Sequence, residues 1–182
     1  MLQRTCRAST TAYAFSMLFV LMLSGCMASA INFEERRELP VPLEITLAAE
    51  ERVNLTAGGR PSPIVVRLFE LSNNTQFLAA DYFALMGQDG VPIGGDILTS
   101  DEHVLLPGEV KMVRKRAALK SRYLGIVAGY SDLSTSTWRL ITPLPDPYLA
   151  GRVWSRSVSP TKHLFVVLSE RGLAVYEKPP KK

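Results

Sequence analysis

The sequence predicts a mainly β domain, an antiparallel sandwich with one inserted helix, set behind a cleavable leader and a short tether. Three observations support this. Seven short segments between residues 41 and 177 show the two-residue alternation or β-branched enrichment of strands, with turn residues between them. Only one segment switches to helical spacing. The chain has two cysteines, both before residue 27, so the domain has no cross-link and must be stabilised by a hydrophobic core.

The chain opens with Arg4 and Arg7 and no acid, followed by an apolar run from Ala12 to Leu23 broken only by Ser16. Twelve helical residues reach about 18 Å, well short of the roughly 20 residues that a bilayer crossing needs. A basic start, a short apolar stretch and small residues at its exit define a secretory signal peptide over residues 1–25. Leu23-Ser24-Gly25-Cys26 resembles the lipobox of bacterial lipoproteins. That resemblance implies S-diacylglycerol and an N-acyl chain on Cys26 as the covalent lipid, and no other cofactor. Two membrane signals already anchor stably, so three chains would hold the protein in place. Met27 stands where an aspartate would mark inner-membrane retention, which points to the periplasmic face of the outer membrane. Two of the four surplus positive charges leave with Arg4 and Arg7, and no nucleic-acid signal remains.

Residues 26–40 are polar with mixed charge and read as a lipidated tether, reaching about 20 Å if flexible. The β-sandwich domain is expected over residues 41–177. Its strands are expected at 41–48, 63–71, 109–117, 123–130, 138–144, 163–168 and 173–177. Ser169-Glu170-Arg171-Gly172 joins the last two, with the glycine taking a positive φ. In "NNTQFLAADYFALMG", Asn74 reads as an N-cap, Gly87 as a C′ residue, and Leu78, Tyr82 and Leu85 as one stripe of a three-turn helix. Residues 86–103 read as loop, and 178–182 as a disordered tail. The run "RKRAALKSR" (114–122) reads as a solvated hairpin, with anionic headgroups or an acidic partner as the alternative.

Catalytic chemistry is not apparent. His103 and His163 lie far apart without carboxylates at ligand spacing, so no metal site is expected. Gly94-Gly95 lacks the Lys-Ser/Thr of a phosphate loop, and no serine sits in Gly-x-Ser-x-Gly. The adjacent acids Asp101 and Glu102 point apart. We therefore expect no enzyme, no nucleic acid and no small-molecule substrate. The rival reading is a small-ligand or glycan site lined by Trp138, Tyr148 and Trp154.

The stretch "AEERVNLTAGGRPS" (49–62) is too long for a simple connector, and binding residues concentrate in such loops on rigid scaffolds. It reads as a binding loop or, equally, a variable surface loop, with residues 50–58 replaceable at little cost to stability.

Asn54, Gly59, Pro61, Ser62, Pro63, Val65, Val66, Arg67 and Leu71 fit one block of a motif pattern. Phe77, Ala80, Asp81, Phe83 and Leu85 fit a second, and Pro107-Gly108-Glu109 and Trp138 fit later ones. Over residues 43–144 the chain resembles the TssJ family, outer-membrane lipoproteins of the type VI secretion system. It departs from the pattern at Phe69-Glu70 and Tyr82. The resemblance implies a transthyretin-like sandwich that ties a trans-envelope complex to the outer membrane. The implied partner is the periplasmic C-terminal domain of the inner-membrane subunit TssM, bound through the loop between the first two strands. Carried over, the contact residues are Glu50, Glu51, Arg52, Val53, Asn54, Leu55 and Thr56, with Val53, Asn54 and Leu55 as anchors.

Overall fold

The computed structural model of the chain describes residues 37–87, 95–146, 148–150 and 161–177. The leader, Cys26, Trp154 and the tail 178–182 lie outside them. The elements run β1 (Arg37–Leu39), β2 (Pro42–Ala49), β3 (Ile64–Leu71), α1 (Thr75–Ala79), α2 (Tyr82–Met86) and β4 (Ile97–Leu105), then β5 (Val110–Arg116), β6 (Tyr123–Ala128), β7 (Arg139–Pro143), β8 (Tyr148–Ala150), β9 (Lys162–Ser169) and β10 (Gly172–Tyr176). One sheet has the order β10-β9-β2-β5, the second β4-β3-β6-β7, and β1 and β8 form a separate two-stranded ribbon. Every pairing is antiparallel except the central β2–β9 pair, which is parallel.

Alternation sets the layers. Leu43, Ile45, Leu47 and Ala49 of β2 point inward with Leu164, Val166 and Leu168 of β9. They meet Ile64, Val66 and Leu68 of β3 and Leu124, Ile126 and Ala128 of β6 from the second sheet. The outer face of the second sheet carries its own cluster, in which Phe69, Leu71 and Val127 pack under Phe77 and Leu85 of the helices. Phe77 lies so close to Gly125 that a Cβ there would sit 2.6 Å from its ring.

Four expectations need correction. The single helix is two short ones, because Ala80 is extended (ψ 143°) and Asp81 caps a fresh start by accepting from the Ala84 amide at 2.8 Å. Asn74 makes no side-chain cap; Asn73 Oδ1 accepts from the Thr75 amide instead, and Gly87 has an ordinary φ of −63°. Residues 97–105, expected as loop, form β4 at a sheet edge. The basic run is not a hairpin: residues 117–122 cross from β5 in one sheet to β6 in the other. The end of the expected tether is also ordered, since residues 37–39 pair with β8. The expected Ser169–Gly172 turn is present, with Gly172 at φ 142°.

The registers give the sandwich two ends. Pro42, Arg116 and the start of β9 lie together at the near end, where the chain arrives from the tether. Ala49, Val110 and Leu168 lie at the far end. The crossing segment 117–122 closes the near end, with the Ala117 amide on the Val41 carbonyl and the Arg122 amide on the Leu71 carbonyl.

Inside this closure sits a buried carboxylate. Glu70 is 1% exposed and accepts from Lys115 Nζ at 2.6 Å, the Ala118 amide at 2.7 Å and the Ser121 hydroxyl at 2.7 Å. Burial alone would push its pKa up, but those donors more than offset it and hold the carboxyl below the usual glutamate value. A folded pKa below the unfolded one stabilises the fold above about pH 4.3, and that gain is lost as pH falls through the folded value. Denaturation of wild type and Glu70→Gln across pH should show the variant about 1–3 kcal/mol less stable at pH 7. The difference should close in acid; a pH-independent gap would contradict the assignment.

Candidate partner-binding site

The far end is built by four connections: residues 50–63 between β2 and β3, residues 106–109 between β4 and β5, residues 129–138 between β6 and β7, and the β9–β10 turn. The first departs from the picture of a loop replaceable at little cost to stability. Val53 is fully buried in the main core and its amide bonds to the Glu50 carbonyl at 3.1 Å. Asn54 is 6% exposed and adopts a left-handed φ of 48°, which asparagine tolerates better than most residues.

Asn54 acts as the local clasp. Its Nδ2 donates to the Pro63 carbonyl at 2.8 Å, and its Oδ1 accepts from the Ser131 amide at 2.7 Å. Its own carbonyl accepts from the Ser62 hydroxyl at 2.6 Å. One side chain thus closes the 50–63 loop on itself and ties it to the β6–β7 connection. A reverse turn, with the Gly59 amide on the Thr56 carbonyl at 2.8 Å, shapes the tip. Arg52 Nε reaches Glu170 Oε2 on the β9–β10 turn at 3.0 Å.

Between these connections lies a cleft of about 460 Å³ lined by Asn54–Ala57, Tyr130–Asp132, Thr135, Ser136, Glu170 and Arg171. Ser134 and Thr135 donate to Asp132 and hold its carboxyl at about 2, so it is charged at neutral pH. Burial, and then the Glu50 carboxylate, push the Tyr130 hydroxyl well above the ordinary tyrosine value, so it stays neutral.

The seven residues expected to touch a partner therefore divide. Glu50, Glu51, Arg52 and Thr56 are exposed and Leu55 is half-buried. Val53 and Asn54, expected as anchors, have almost no free surface; they fix the loop's shape. Sequence reasoning missed Ser131, Asp132, Glu170 and Arg171, because only the fold brings those turns beside residue 54.

The other candidates go elsewhere. Trp138 packs edge-on against Tyr82, 5.4 Å between ring centroids, with Arg139 over its face, and does not line the cleft. Asp101 pairs with Lys115 and Glu102 with Arg67. His163 is exposed; the His103 pKa is lowered by burial and then by Lys111. Among the described residues no three ligating groups cluster for a metal, and no helix is long and apolar enough to cross a membrane.

The described residues thus form a transthyretin-like β-sandwich with a clasped loop and cleft at the end opposite the start of β2. A sequence profile described as T6SS-SciN, type VI secretion lipoprotein (VasD, EvfM, TssJ), matches residues 41–168, and the chain belongs to that family. It is similar to TssJ1, a type VI secretion lipoprotein of Pseudomonas aeruginosa, at 32% identity over 78% of this chain and 99% of that one, TM-score 0.67. Serratia marcescens Lip, a membrane-bound component of the type VI secretion system, matches at 32% identity over 75% and 98%, TM-score 0.67. A chain in a structure described as the TssM C-terminal domain (869–1107) from EAEC matches at 25% identity over 74% and 97%, TM-score 0.57. No curated protein matches the chain.

Replacing Asn54 tests the clasp. Asn54→Ala removes two side-chain bonds and leaves a Cβ residue at positive φ, an expected loss of about 2–4 kcal/mol in chemical denaturation. Asn54→Gly should recover only the backbone part.

Proposed function

We propose that this protein is an outer-membrane lipoprotein, acylated on Cys26, that anchors the trans-envelope complex of the type VI secretion system. On this reading its far-end loop binds the periplasmic C-terminal domain of TssM. Family membership supports the system and the lipid, and the lipobox at residues 23–26 supports the acylated position. The observation that carries the partner site is the clasp at Asn54. It holds Glu51, Arg52, Leu55 and Thr56 in one fixed arrangement, so little ordering entropy is lost when a partner docks. The match to a chain in a structure described for TssM supports the choice of partner.

The mechanism is two-point attachment. Acyl chains hold the near end at the membrane while the loop holds the complex, and each contact raises the effective concentration of the other. Neither step needs chemistry.

Two experiments test this. The combined variant Glu51→Ala, Arg52→Ala, Leu55→Ser, Thr56→Ala spares Val53 and Asn54, so its unfolding midpoint should stay near wild type. Its calorimetric affinity for the periplasmic TssM domain should fall about tenfold or more, since a few residues dominate most interfaces. Unchanged affinity would remove the loop from the proposal. Cys26→Ser should abolish incorporation of labelled fatty acid and secretion; continued incorporation would place the lipid elsewhere.

A further inference from the structure

The basic run at 114–122 has no part in the reading above, and the structure shows where it lies. It closes the near end, the end at which the chain arrives from the tether. Some of its charge is used internally: Lys115 neutralises Glu70 and Asp101, Arg114 pairs with Glu44 at 3.3 Å, and Arg122 with Asp146 at 3.5 Å. Arg116 and Lys120 are exposed, and among the described residues neither has a carboxylate within ion-pair distance. Between them Leu119 stands 41% exposed at the tip of the crossing.

The acids at this end are mostly occupied. Among the described residues Glu44, Asp146 and Glu177 each lie within reach of a cation, and Asp96, half-buried beside Ser72, does not. The far end differs, with unpaired charges of both signs: Glu50 and Glu51 against Arg60 and Arg171. Charge surplus, an exposed leucine and the start of β2 therefore coincide at one end.

From this we infer that the near end is a membrane-facing surface, in which Arg116 and Lys120 contact anionic phospholipid headgroups and Leu119 lies at headgroup depth. The inference rests on the acylated anchor, which brings this end within reach of the bilayer. It assigns the docked protein an orientation, with the far-end loop turned to the periplasm. Basic residues next to an anionic bilayer each favour the docked state roughly fivefold, and salt weakens the effect.

The test uses the acylated mature chain reconstituted into vesicles, where Cys26 is capped by lipid and Cys6 has left with the leader. Single variants Leu119→Cys, Thr56→Cys and Val110→Cys carry an environment-sensitive fluorophore, and headgroup-located quenchers report contact. In phosphatidylglycerol–phosphatidylethanolamine vesicles the label at 119 should be quenched and those at 56 and 110 should not. Phosphatidylcholine vesicles or high salt should abolish the difference. Arg116→Gln with Lys120→Gln should lower the docked-to-free ratio roughly 25-fold, at an unchanged unfolding midpoint. Equal quenching at 119 in neutral vesicles, or stronger quenching at 110, would overturn the orientation. Failure of the protein to float with vesicles at all would refute the anchor and the inference together.

Discussion

Burial of Leu43, Ile45, Leu47 and Ala49 on one side of β2 is the constraint from which the rest of the architecture follows. The strand is central, flanked by β9 and β5, and it can present that face to the core in only one register. Seven residue steps of about 3.3 Å then separate Pro42 from Ala49 by roughly 23 Å. The chain enters from the tether at one end and delivers the 50–63 loop at the other. The chain's entry into β2 and the 50–63 loop are kept apart by a strand that cannot slip without turning its apolar side chains into water.

At the far end the same economy of parts recurs. The backbone must reverse between two sheets, and Val53 is carried into the core as it does so. Asn54 then bonds to the Pro63 carbonyl and the Ser131 amide, which ties the loop to the β6–β7 connection. The loop is therefore a ledge with a fixed outline, and the cleft beside it gathers Asp132, Glu170 and Arg171 from connections distant in sequence. At the near end, Glu70 does comparable work by fixing the crossing 117–122 through Ala118 and Ser121.

What could be read from the sequence follows from where periodicity is strong. β2, β3, β5, β6, β7, β9 and β10 were legible because alternation or β-branched runs mark strands that are buried or half-buried on at least one face. β4 was not: it is an edge strand with Thr99, Ser100, Glu102 and Val104 exposed, so its pattern carries little apolar signal. The stripe Leu78–Tyr82–Leu85 suggested one helix, yet Leu78 is 51% exposed and Phe77 is the buried residue, because Asp81 restarts the turn. Glu70 departed from the family pattern without revealing its partner, since Lys115 meets it only when two sheets stack. Val53 and Asn54 stood out in the sequence as anchors, and the structure places one in the core and the other in the hydrogen bonds of the loop. A single sequence does not distinguish a side chain that touches a partner from one that holds the loop that does.

The central claim is that the protein grips its partner with the end opposite the tether. Amide hydrogen exchange on the acylated chain, alone and with the periplasmic TssM domain, reads this directly. The account predicts slowed exchange in residues 50–63 and 130–136, with 116–122 unchanged. Protection confined to 116–122, or none anywhere, would contradict it.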